Sequence, residues 1–155
     1  MKNYQQKSVE ATTSQREFKP SSVTKYMTSV DKLYTFRPDT EISDVVELLI
    51  EKEITGAPVL NDLDELVGLI DDKDCLKVLF DMAYHNQPLI DATVSDYMTS
   101  VMKTISDRSN IVDVADTFLN TKYKRLLIVD DRGKLQGQIS RQDILRAIRD
   151  FNGNK

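Results

Sequence analysis

Hydrophobic residues recur at helical spacing in two stretches of similar surroundings. In the first, Ile42, Val45, Val46, Leu49 and Ile50 share a face; in the second, Ile111, Val114, Ala115, Phe118 and Leu119 do. Each pattern predicts an amphipathic helix, with Thr40 and Asn110, or their neighbours Asp39 and Ser109, available as N-caps. A short extended segment precedes each helix, at residues 32–36 and 103–106. Two short apolar runs follow each, 57–60 with 66–70 and 126–129 with 135–139. The turn-rich stretches Asn61-Asp62-Leu63-Asp64 and Asp130-Asp131-Arg132-Gly133 join them, so both pairs predict hairpins. A closing helix ends each unit, with Leu76, Val78, Leu79, Phe80 and Met82 in one and Ile144, Leu145, Ile148 and Phe151 in the other. These residues are expected in the core.

The order β-α-β-β-α therefore occurs twice, and the sequence itself repeats. Val23-Thr24-Lys25-Tyr26-Met27-Thr28-Ser29-Val30 matches Val94-Ser95-Asp96-Tyr97-Met98-Thr99-Ser100-Val101 at six of eight positions. Further on, Leu66 to Leu76 (LVGLIDDKDCL) answers Leu135 to Leu145 (LQGQISRQDIL), setting Gly68 against Gly137, Asp71 against Ser140 and Asp74 against Asp143. A repeat this consistent makes two like units the organising fact of the chain. Residues 1–21 are polar with scattered apolar side chains and read as an N-terminal arm. The first unit runs over 22–86, a connector with Pro88 over 87–93, and the second unit over 94–152.

In each unit the second hairpin strand turns directly into the closing helix. Ser140 is placed to cap that helix, with Asp143 at its third position near free backbone N–H groups. Ser-x-x-Asp is close to a capping box, which stabilises a helix without any ligand. The same place suits an anion or a sugar hydroxyl, because unpaired amides and the positive end of the helix dipole point outward together.

Composition narrows the classes. With 155 residues the chain can bury a sizeable core without metal or disulfides. One cysteine, Cys75, and one histidine, His85, leave no Cys-His pair at motif spacing and no multi-histidine metal site, and the lone thiol suits a reducing cytoplasm. His85 is expected at the surface, near a helix end. A net charge of −4 argues against nonspecific nucleic-acid binding, and no apolar run is long enough for a membrane span. No nucleophile-base pair or phosphate loop is present, so no enzyme activity is expected.

The repeated β-α-β-β-α order, the two Tyr-Met-Thr segments and the two Gly-x-x-[Asp or Ser]-x-x-Asp segments resemble the CBS domain pair, or Bateman module. The resemblance covers nearly everything except the arm and implies an α/β (α+β) fold of tandem CBS domains packed as a pseudo-twofold pair, here read as stand-alone. It also implies two clefts between the copies, frequent homodimers, and regulation of a partner protein by an adenosine-containing small molecule such as AMP, ADP, ATP, NAD or S-adenosylmethionine. Residue by residue, Ser140 and Asp143 match the family's ribose-binding pattern, Asp143 accepting from both ring hydroxyls. Lys124 and Arg125 stand where the family often places a basic residue facing phosphate, and Arg141 is a further cation; solvated surface charge is the alternative for all three. Thr104, Ile105, Tyr123 and Ile139 are expected to line the adenine slot. In the first copy Asp71 replaces the serine and Thr55-Gly56 stands in place of Lys124-Arg125, so the cleft of Asp71 and Asp74 is expected to be weaker for a phosphate. Its acidic run offers oxygen ligands to a hard cation, although no metal is expected.

Overall fold

The structure is a computed structural model that describes residues 18–86, 88–100 and 103–153. Most of the N-terminal arm, Gln87 of the connector and Val101 of the repeated octapeptide lie outside the described residues. The described residues form six strands: β1 (Thr28–Ser29), β2 (Gly56–Leu60), β3 (Leu66–Asp71), β4 (Thr104–Ser106), β5 (Arg125–Val129) and β6 (Leu135–Ser140). Among the described residues five α-helical segments accompany them: α1 (Ile42–Lys52), α2 (Asp72–Tyr84), the single turn α3 (Val94–Tyr97), α4 (Ile111–Asn120) and α5 (Arg141–Gly153). Both hairpins and all four long helices thus stand where the periodicity places them.

One four-stranded sheet has the order β1-β6-β5-β4, in which only the β4–β5 pair is parallel. The other hairpin, β2-β3, is extended at one side by a parallel bridge from Phe36 to Val59 and at the other by an antiparallel bridge from Leu69 to Thr99. The two sheets are built alike, and each borrows from the opposite unit. β1, from the first unit, pairs with β6 of the second; Thr99, from the second, pairs with Leu69 of the first.

The cores exchange in the same way. Val23 and Tyr26 are buried with Val114, Leu126, Ile128 and Ile139 of the second unit, while Val94, Tyr97 and Met98 pack with Val45, Val59 and Ile70 of the first. Full burial of each such aliphatic side chain contributes about 1.5–3 kcal/mol relative to exposure. Two tyrosines fix the exchanged segments: the Tyr26 hydroxyl donates to Asp150 of α5 at 2.9 Å, and that of Tyr97 to Asp81 of α2 at 2.5 Å. The repeated glycines make room for them. A Cβ at Gly137 would stand 2.5 Å from the Thr28 carbonyl oxygen and 2.7 Å from Met27 Sδ, and one at Gly68 would stand 2.6 Å from Met98 Sδ. Both Tyr-Met-Thr segments and both glycines therefore serve the exchange.

Three expectations are corrected. The first extended segment starts after Lys32, not at it: a 3-10 turn covers Val30–Lys32, Leu33 is extended and Phe36 pairs in parallel with Val59, while an additional short strand, Thr28–Ser29, precedes the turn. The cap of α1 is Glu41, without a side-chain bond, because the Thr40 hydroxyl is turned to the Arg37 amide; Asn110 does cap α4, in a capping box with Asp113. Finally, the closing helices bury little of their apolar surface. Val78 is buried, but Leu76, Leu79 and Phe80 are 62–68% exposed, Leu145 and Ile148 are more than half exposed, and Met82 is exposed. Phe151 packs edge-on to Phe18, with ring centroids 4.8 Å apart. A helix lying on one sheet offers it only part of its circumference, so an apolar stripe wider than that contact stays outside. Ile50 and Leu119 are exposed for the same reason.

Candidate functional site

The exchange brings residues from both units around one cavity of about 470 Å³, within the range of small-molecule sites. The first unit supplies Thr28, Lys32, Leu33 and Tyr34 from its exchanged segment and Glu53, Ile54, Thr55, Gly56 and Pro58 from the approach to β2. The second supplies Lys124, Arg125, Gln138 and Ser140. Three cations against one carboxylate favour an anionic ligand, and Leu33, Ile54 and Pro58 form an apolar wall.

Arg125 begins β5 and lies across from Ser140 of β6, the two being register partners. Its guanidinium reaches into the first unit, donating to the Thr55 hydroxyl. Gly56 permits this close approach, since a Cβ there would lie 2.6 Å from Arg125 Nη1 and 2.8 Å from the Ile70 carbonyl oxygen. Thr55-Gly56 and Lys124-Arg125, which the repeat makes equivalent, thus face each other in one cavity instead of belonging to separate clefts.

Asp143 sits behind Ser140. It is buried at 5% exposure, and its Oδ2 accepts from the Ser140 amide at 2.8 Å and the Ser140 hydroxyl at 3.2 Å. Its Oδ1 accepts from Arg146, one helical turn on. Ser140 faces the cavity, whereas Asp143 is one side chain removed from it. Arg141 is exposed and outside the lining.

The apolar wall of this cavity comes from the first unit, whereas the residues expected to line an adenine slot belong to the second. Ile139 is fully buried in the second core and Ile105 is 9% exposed in the same cluster, and neither they nor Thr104 and Tyr123 line the cavity with Ser140. Their repeat counterparts Leu33, Tyr34 and Ile54 do. The reason is the exchange, which carries the first unit's segment onto β6. Lys32, Gln138 and the Thr55-Gly56 seat were likewise missed, because local patterns do not report which unit a segment joins.

At the matching place in the first unit the arrangement is closed. Asp71 Oδ1 accepts from the Asp74 amide at 2.8 Å while Asp74 Oδ2 accepts from the Asp71 amide at 3.1 Å, a reciprocal capping box. Burial pushes the Asp74 carboxyl above its ordinary range, and the nearby Asp71 charge acts in the same direction. Burial, followed by the same acidic cluster, raises the Cys75 thiol to about 11, which leaves it unreactive as a nucleophile. Among the described residues no group of three His, Cys, Asp or Glu side chains is arranged to hold a metal ion. His85 is exposed, and its Nδ1 lies 2.9 Å from Asp81 Oδ1. No helix among the described residues is long and apolar enough to cross a membrane.

Comparison with known proteins agrees with this architecture. The CBS domain family matches residues 23–81 and 94–150. The chloroplastic CBS domain-containing protein CBSX1 of Arabidopsis thaliana is 34% identical over 149 residues, covering 81% of this chain and 63% of the relative. The chain therefore spans under two thirds of that relative's length. Among solved structures, CBSX2 in complex with AMP superposes with a TM-score of 0.74 at 34% identity, covering 85% of this chain and 98% of that one. CbpB in complex with c-di-AMP gives a TM-score of 0.72 at 18% identity over 87% and 91% of the two chains, a likeness of fold. The duplicated β-α-β-β-α units, their exchanged segments and these matches together establish that the chain belongs to the CBS domain family, as a pair of CBS domains.

Proposed function

We propose that this chain is a regulatory module that binds an adenosine-containing mononucleotide, AMP, ADP or ATP, in the cavity beside Ser140 and passes its occupancy to a regulated protein. The observation that carries the reading is the single cavity in which Ser140 faces Lys32, Lys124 and Arg125. The AMP complex of CBSX2 supports it. Ser140 and Asp143 take the ribose hydroxyls, for which Asp143 Oδ1 releases Arg146, itself half exposed and readily solvated. Arg125 and Lys124 take the phosphate, with Lys32 opposite. The cavity is lined by both units, so a bound nucleotide favours one arrangement of the two to the extent that it binds that arrangement more tightly. The role is that of a binding protein and not an enzyme, in a reducing compartment such as the cytoplasm. Thermal-shift measurements with AMP, ADP, ATP, NAD and S-adenosylmethionine test the reading: a shift for an adenine nucleotide supports it, and no shift at millimolar ligand contradicts it.

The exposed apolar faces of α2 and α5 favour an accompanying homodimer, with Leu76, Leu79 and Phe80 on one helix and Leu145 and Ile148 on the other. Sedimentation is expected to give a dimer that Leu79→Glu weakens; a monomer at all concentrations would contradict this.

A further inference from the structure

Gln138 carries information that the ribose and phosphate contacts leave unused. It lies on β6 two residues before Ser140, hence on the same face of the strand, and both line the cavity. Among the described residues, its Oε1 is the buried side-chain oxygen or nitrogen left without a hydrogen-bond partner. A buried acceptor without a donor is costly, and such a group in a native structure calls for an explanation. The fold does not require an amide here. The repeat counterpart of Gln138 is Leu69, which occupies the same place on β3 with an apolar side chain. Only the unit that carries Ser140 has an amide at this position.

We infer that Gln138 is a specificity-determining residue whose amide reads the base of the bound nucleotide, Oε1 accepting from the exocyclic amino group of adenine. This deepens the nucleotide reading above and rests on it. Leu33, Ile54 and Pro58 offer the ring an apolar surface; Thr28, Tyr34, Glu53 and Thr55 also carry acceptors in the lining, but among the described residues Gln138 Oε1 is the one that is buried without a donor. A glutamine amide matches adenine because its oxygen accepts from the amino group while its NH2 donates to a ring nitrogen. A purine without the amino group leaves the acceptor as unpaired as it is in the free protein, and so loses affinity.

The test compares AMP with purine riboside monophosphate, which differs only by the missing amino group, on the parent chain, Gln138→Leu and Gln138→Met. The parent is expected to favour AMP by about tenfold or more, the worth of one buried hydrogen bond. Both variants are expected to bring the two ligands to near parity, with circular dichroism confirming the fold. An AMP preference undiminished in either folded variant would overturn the role of Gln138. Equal weakening of both ligands, with the preference retained, would overturn it too, by placing the acceptor on the ribose. Absence of binding of either nucleotide to the parent would overturn the nucleotide reading, and the role of Gln138 with it.

Discussion

The two units part ways at the start of their closing helices, where the repeat sets Asp71 against Ser140 and Asp74 against Asp143. At the start of α2, Asp71 and Asp74 satisfy each other reciprocally, and the result is a helix cap outside the lining of the cavity that holds Ser140. At the start of α5, Ser140 replaces the aspartate, its hydroxyl turns to Asp143 as donor, and it lines a cavity with three cations. Cap and site are thus alternative uses of one local geometry. Which of them is realised depends on one side chain at the cap and on the cations opposite. The exchanged segments sharpen the contrast, since they place Lys32, Leu33 and Tyr34 against the serine-bearing unit.

Substitution of the two repeated glycines should separate the units most strongly. Gly137→Ala drives a Cβ against the Thr28 backbone oxygen, and a destabilisation of about 2–3 kcal/mol is expected, in the upper range for overpacking. Gly68→Ala meets chiefly the flexible Met98 thioether, with the Thr99 oxygen at 3.2 Å, and should cost about 1 kcal/mol. Urea unfolding of both variants measures the gap; equal losses would mean that the two segments are not seated as described.

Exchanging the cap residues probes the next level. Ser140→Asp should weaken AMP binding about tenfold, because a second carboxylate then stands beside Asp143 at the ribose and offsets the cations that take the phosphate. Asp71→Ser should leave AMP affinity unchanged and stability nearly so, serine being a comparable cap. Isothermal titration of both variants decides; a loss in Asp71→Ser would place the ligand in the first unit.

The smallest expected difference is in alkaline stability. The hydrogen bond to Asp81 raises the Tyr97 hydroxyl from 10.0 to about 12. A folded value above the unfolded one means that this stabilisation is complete below pH 10 and is lost as pH rises toward 12. Tyr97→Phe should flatten the melting profile across that window relative to the parent. The Tyr26 hydroxyl is raised in the same direction, first by burial and then by Asp150, so Tyr26→Phe provides the matching comparison in the other unit. Parallel parent and variant profiles would show that neither bond contributes.

Much of the fold was legible because it is local. Helical spacing located all four long helices, turn residues located both hairpins, and Asn110 announced the cap of α4. The duplication announced the pairing of two units. What local pattern does not encode is partnership at a distance. Tyr26-Met27-Thr28 reads as the start of its own unit, yet it pairs with β6 more than a hundred residues later. For that reason the adenine slot was expected at Thr104, Ile105, Tyr123 and Ile139, whereas the cavity beside Ser140 is lined by Leu33, Tyr34 and Ile54, the first-unit counterparts of the first three. Periodicity likewise marks a helix as amphipathic without reporting how wide a stripe the sheet covers, which is how Leu76, Leu79 and Leu145 came to be expected inside. Ser140, Lys124 and Arg125 were legible through motif and position, and the structure brings these three together.

The most direct test of the account is a calorimetric titration of AMP into the parent chain, Asp143→Ala and Asp74→Ala, each checked for fold. The two variants remove matching buried carboxylates, one behind the cavity and one in the closed cap. Saturable binding at one site per chain is expected in the parent, with loss in Asp143→Ala and retention in Asp74→Ala. Undiminished binding in Asp143→Ala, or loss confined to Asp74→Ala, would contradict it.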